Sequence, residues 1–177
     1  MLVKKIYSGR VVHLNIESVT LPNGVQDNLE VVRHSGAAAV VPLYRDGRVV
    51  LIKQYRHAAG GTIVEVPAGR LEKGESPEAC ARRELSEETG LSAKRWHPLL
   101  SILTTPGFSD EEIHIYLARD LLVGEAHPEA SESIEVVEMP LDRALEGILA
   151  GEIRDAKTIA ALFAAAAFIQ SEPSRDS

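Results

Sequence analysis

Residues 69–91 read GRLEKGESPEACARRELSEETGL, and the arrangement of the rest of the chain follows from them. Ser76 suits an N-cap and Pro77 the first helical position, so a helix is expected from there to about Thr89, with Gly90 as its stop. On that helix Glu84, Glu87 and Glu88 stand three and four residues apart and share one face. Three like charges repel at that range, so the face calls for a cation. Ala81 and Leu85 form a neighbouring stripe suited to a core, and Arg83 can brace the acidic cluster. Hard divalent cations such as Mg²⁺ take oxygen ligands and are commonly shared with substrate phosphates. Three carboxylates and a loop carbonyl meet that need. Read in isolation, ELSEE would be an ordinary solvated acidic face.

The whole chain sets limits on what such a site serves. Its 177 residues and 45% hydrophobic composition suit one domain with a full core. A formal net charge of -7 argues against nucleic acid held by general backbone attraction, and leaves small phosphorylated ligands open. Cys80 is the single cysteine, so no internal disulfide is expected. With no charged-then-apolar leader, a reducing cytoplasm is the expected location. The low-polarity run TIAALFAAAAFI at 158–169 is too short for a bilayer and reads as a buried helix, so no membrane partner is expected.

Along the chain, extended segments are expected at 4–9, 11–21 and 25–33, with a turn at Pro22-Asn23-Gly24, giving a small antiparallel sheet. The apolar runs 37–44 and 48–55, joined by Arg45-Asp46-Gly47, read as central strands. Residues 63–69 read as a strand delivering the loop before the acidic helix. Strands are then expected at 94–104, 112–119 and 134–139, and helices at 141–150 and 156–170. His13 and His34 have no metal-spaced partner and are assigned no chemistry.

The full spacing of Gly69, Glu75 and Arg83-Glu84-Leu85-Ser86-Glu87-Glu88-Thr89-Gly90-Leu91 resembles the Nudix box with no departure from the family pattern. QYR at 54–56, EVPAG at 65–69 and PGFSDE at 106–111 resemble the ADP-ribose pyrophosphatase branch, marked by a proline about fifteen residues past the box. Pro106 stands there. The resemblance implies an α/β class fold, an α/β/α sandwich with a mixed sheet and an N-terminal antiparallel β-hairpin. Residues 1–35 would form a dimerisation element, 36–170 the hydrolase domain and 171–177 a frayed tail.

The same resemblance implies metal-dependent hydrolysis of ADP-ribose to AMP and ribose 5-phosphate by a homodimer, with Mg²⁺ or Mn²⁺ as cofactor. Another nucleotide sugar, such as ADP-glucose or a GDP-sugar, is the alternative substrate. A non-catalytic nucleotide sensor is the alternative class, although such modules usually lose the box carboxylates kept here. The metal ligands implied are Glu84, Glu87 and Glu88 with the Ala68 carbonyl, Arg83 orienting them and Glu75 an outer ligand or loop brace. The base, or a further metal ligand, would come from the loop PEASES at 128–133, with Glu132 the first choice and Glu129 the second. Arg56 would meet a phosphate or the terminal ribose, and Glu65, Gly107, Phe108 and Glu111 would shape the substrate pocket.

Overall fold

Three strands, β1 (Leu2–Ser8), β2 (His13–Thr20) and β3 (Gln26–Arg33), form an antiparallel sheet in that order. The turn between β2 and β3 is the expected one, with Gly24 at φ 83°. The computed structural model describes residues 2–125 and 133–172. Glu129, Glu132 and residues 173–177 of the expected tail lie outside these.

The body follows as β4 (Ala37–Leu43), β5 (Arg48–Arg56), β6 (Gly61–Glu65), β7 (Ala68–Arg70), α1 (Pro77–Thr89), β8 (Leu91–Leu103), β9 (Glu112–Val123), β10 (Ile134–Pro140), α2 (Leu141–Leu149) and α3 (Ala156–Ser171). Its sheet runs β10-β5-β4-β9-β8, with β6 on β5 and β7 on β4. The β4–β9 pair is parallel and the others antiparallel, so the sheet is mixed.

Every residue of β4 is buried, because the strand is covered on both faces. Ala37, Ala39, Val41 and Leu43 pack with Val49, Leu51 and Leu117 against Ala144 of α2 and Ala161, Leu162 and Ala165 of α3. Ala38 and Val40 point the other way, with Val50 and Ala118, against Cys80, Ala81 and Leu85 of α1. The two-residue period of one strand thus separates two cores, and an α/β/α sandwich results.

Some boundaries differ from expectation. Residues 63–69 are not one strand: Val66 and Pro67 interrupt it, since Pro67 has no N–H to give a ladder. The chain changes partner there, with Val66 N–H donating to Thr158 Oγ1 (2.9 Å) and Pro67 O accepting from Val40 N–H (2.9 Å). Strands β8 and β9 are each longer than expected, because Gly90 at φ 70° turns the chain straight into Leu91, which pairs with Val123.

The N-terminal sheet holds one buried charge. On β2, Leu14 and Ile16 are half-buried while Glu17 is only 3% exposed. It accepts from Arg33 Nε (2.8 Å) and NH2 (2.5 Å). These bonds hold the Glu17 carboxyl below its ordinary 4.5 against the opposing effect of burial. A depressed folded pKa means that the stabilisation is present above pH 4.5 and is lost as pH falls through the folded value. Glu17→Gln is therefore expected to unfold more readily than the parent at neutral pH, with the difference shrinking as pH falls below the ordinary 4.5 through the depressed folded value. Denaturant titration across a series of pH values from neutral downwards checks this, and a difference that stays constant throughout contradicts it.

Candidate metal and substrate site

The acidic helix forms as its ends dictate. Ser76 Oγ accepts from Ala79 N–H (3.2 Å), Pro77 opens the first turn, and Gly90 closes the last in the left-handed region. Cys80, Ala81 and Leu85 anchor one face in the core, which turns the carboxylates towards β7.

Arg83 gathers those carboxylates. Its Nε and NH2 donate to the two oxygens of Glu75 (2.9 and 3.1 Å), and its NH1 donates to Glu84 Oε1 (2.6 Å) and Glu87 Oε2 (2.9 Å). NH2 also reaches the Arg70 carbonyl (3.1 Å). Arg83 holds the Glu75 carboxyl below its usual range, and the three acids strengthen Arg83 as a base. Glu75 also accepts from Glu72 N–H (2.9 Å), which closes the loop ahead of the helix.

The remaining contacts seat the helix against β7. Glu88 is buried, and its Oε2 accepts from Ala68 N–H (3.0 Å). A Cβ added at Gly69 would lie 1.7 Å from Glu84 Oε1, so only glycine leaves room for that carboxylate. Cys80 is buried behind the same strand, its thiol 3.5 Å from the Gly69 and Arg70 carbonyls, and burial pushes its pKa up to about 12. It is a packing residue, because the nucleophile would be the thiolate.

Among the described residues, no three His, Cys, Asp or Glu side chains are grouped to hold a metal ion. Glu84 and Glu87 each turn an oxygen to Arg83, and Glu88 turns one to the Ala68 amide. The donor chemistry nonetheless fits a hard divalent cation: carboxylate oxygens and a carbonyl on one short strand–helix junction, with a glycine cleared for one of them.

The residues expected to meet a substrate lie at the same end of the sheet. Arg70 and Ile113 both pair with Ala37, so the loops after β7 and before β9 flank one strand end. Arg56 ends β5 there, and β10 starts with Ile134 opposite Gln54. Glu65 is 2% exposed, accepts from Arg56 Nε (2.8 Å) through one oxygen, and binds Lys157 Nζ through the other. Lys157 also donates to Asp155 Oδ2 (3.0 Å), which accepts from Thr158 N–H (2.9 Å) and Oγ1 (2.6 Å) as the N-cap of α3.

Asp155, Lys157 and Thr158 went unnoticed in the sequence. Asp155 with Thr158 three residues on was a legible cap signal, but nothing local tied Lys157 to a glutamate 92 residues away. Phe108 is 56% exposed, and Glu111 accepts from Thr104 Oγ1 (2.7 Å). His34 Nδ1 lies 3.6 Å from Glu111 Oε1 but accepts from Gly36 N–H (3.1 Å). A separate cleft of about 840 Å³ opens at the other end of β4, around Leu43, Arg45, Asp120 and Leu141, and shares no residue with the acidic face.

The NUDIX domain model matches residues 33–162, and the chain belongs to that family. Nudix pyrophosphatases generally use a divalent metal. The chain is 45% identical over 161 residues to an ADP-ribose pyrophosphatase of Bacillus subtilis, covering 90% of this chain and 87% of that one. It is 44% identical, with the same coverage, to a methanol dehydrogenase activator of Bacillus methanolicus. It is also 39% identical to a GDP-mannose pyrophosphatase of Cronobacter sakazakii, over 73% of this chain and 76% of that one. A solved structure described as an ADP compounds hydrolase shares the fold, with a TM-score of 0.82 at 23% identity over 96% of this chain and 92% of that one.

At Gly69 the atom that must yield to a methyl group is the tip of Glu84. Gly69→Ala is therefore expected to leave the melting temperature nearly unchanged while turnover falls by about tenfold or more. Thermal unfolding and kcat on the same preparation check this, and unchanged turnover contradicts it.

Proposed function

We propose that this chain hydrolyses the pyrophosphate bond of ADP-ribose, giving AMP and ribose 5-phosphate, with Mg²⁺ as its metal and Mn²⁺ as a substitute. The observation that carries the reading is the Arg83 hub, which keeps the box carboxylates together opposite Gly69 and Ala68. The identity to an ADP-ribose pyrophosphatase across nine-tenths of the chain supports the substrate.

Glu84, Glu87, Glu88 and the Ala68 carbonyl would hold the metal, whose chemistry is to neutralise phosphate oxygens and acidify a water. Arg83 keeps Glu84 and Glu87 aimed as charged acceptors. Arg56, fixed through Nε by Glu65, presents its guanidinium to a phosphate or the terminal ribose. Gly107, Phe108 and Glu111 line the ribose or adenine end. Water adds its hydroxyl to phosphorus as the bridging oxygen leaves with the other product, and its proton passes to Glu132, or to Glu129 as second choice.

The active assembly we propose is a homodimer joined through residues 1–35. All seven residues of β1 are exposed, including Leu2 at 73% and Tyr7 at 59%, and a second copy would cover them. Among the described residues no helix is long and apolar enough to cross a membrane. With its single cysteine reduced and buried, the chain suits the cytoplasm.

Purified protein with Mg²⁺ is expected to release AMP from ADP-ribose faster than it cleaves ADP-glucose or GDP-mannose. Chromatography of the products checks this, and faster cleavage of GDP-mannose would transfer the assignment to that substrate. Glu88→Gln is expected to lower kcat by roughly a hundredfold or more. Retention of full turnover by that variant contradicts the metal-site reading. Light scattering is expected to give a dimer that Tyr7→Glu converts to a monomer, and a monomeric parent contradicts the assembly.

A further inference from the structure

Arg33 stands where the N-terminal sheet meets the body, and it bonds to both. Its Nε and NH2 grip Glu17 on β2, while its NH1 donates to Asp110 Oδ2 (2.9 Å) in the loop after β8. A charge-assisted pair of this kind is directional as well as strong.

The main chain repeats the connection. Val32 N–H donates to the Phe108 carbonyl (2.7 Å), Asp110 N–H donates to the Val32 carbonyl (3.3 Å), and Val32 bridges Ser109 in parallel. His34 N–H donates to Asp110 Oδ1 (2.8 Å). The end of β3 is therefore bridged to Phe108–Asp110 through the main chain. Within the loop, the Phe108 and Ser109 amides both donate to the Thr105 carbonyl (3.0 and 2.9 Å), and Glu111 N–H donates to Ser109 Oγ (3.2 Å). So tied, the loop is held to β3 by both main-chain and side-chain bonds. From β3 to β4 the chain passes through only His34, Ser35 and Gly36, the last at φ 84°.

We propose that the Glu17–Arg33–Asp110 clamp positions the Pro106–Glu111 loop, so that the placement of the N-terminal sheet sets the affinity for the nucleotide sugar. This rests on the reading of that loop as part of the substrate pocket. Arg33 and Glu17 are positioning residues: Glu17 acts on the substrate only through Arg33 and Asp110.

Steady-state kinetics on the nucleotide sugar the parent cleaves best tests the clamp. Glu17→Gln is expected to raise KM about threefold to tenfold with kcat nearly unchanged, and Asp110→Asn to do the same. Because both lie on one path, the double variant is expected to be no worse than the more damaging single one. Should Glu17→Gln fail to fold, Arg33→Lys, which keeps the charge and loses the fork, carries the same expectation of raised KM. Unchanged KM in a folded Glu17→Gln or Arg33→Lys protein, or effects that multiply in the double variant, overturns the clamp. Phe108→Ala separates the two readings. A raised KM there with a normal Glu17→Gln protein sinks the clamp alone, whereas an unchanged KM in Phe108→Ala removes the loop from the pocket and the clamp with it.

Discussion

One guanidinium makes the acidic face of α1 possible. Two charges about 4 Å apart at an effective dielectric near 20 repel by roughly 4 kcal/mol, well above the worth of an ordinary surface ion pair. Arg83 meets Glu75, Glu84 and Glu87 at once, and its side chain is only 26% exposed, so water screens it little. The charge on one residue thereby holds three acids in a place where they would otherwise swing apart into solvent. The loop before the helix, the helix face and the Arg70 carbonyl are all tied to that group.

The fold delivers this cluster through a change of partner at Val66-Pro67. There the chain leaves β5 for β4, and the crossing is fixed on one side by Thr158 and on the other by Val40. Thr158 is itself held by Asp155, whose other partner Lys157 reaches Glu65. The start of α3 thus braces the crossing from β6, which carries Glu65, to β7, which carries Ala68 and Gly69, and Arg56 is drawn into the same network. On the opposite side the N-terminal sheet is bonded to the Phe108–Asp110 segment. This end of the molecule is therefore assembled from elements distant in sequence around one buried strand, β4.

What the sequence made legible was whatever is written locally. Ser76, Pro77 and Gly90 mark the ends of α1, the spacing of Glu84, Glu87 and Glu88 sets their common face, and the apolar run 37–44 announces a central strand. The Arg83 brace was also readable, since its partners lie one, four and eight positions away. The pairs that escaped notice join residues far apart: Lys157 with Glu65, and Arg33 with Asp110, 77 positions on. Periodicity carries no information about such meetings. The break at Pro67 was missed for a different reason, because an apolar run conceals a change of strand partner unless the missing N–H is given weight.

The acidic face of α1 can serve as proposed only if it holds a divalent cation. Titration of Mn²⁺ into the protein, followed by its electron paramagnetic resonance signal, tests this without reference to any substrate. The parent is expected to bind the ion, and Glu84→Gln and Glu88→Gln each to weaken binding by about tenfold or more. Binding of equal strength in all three proteins, or none in the parent, would contradict the account.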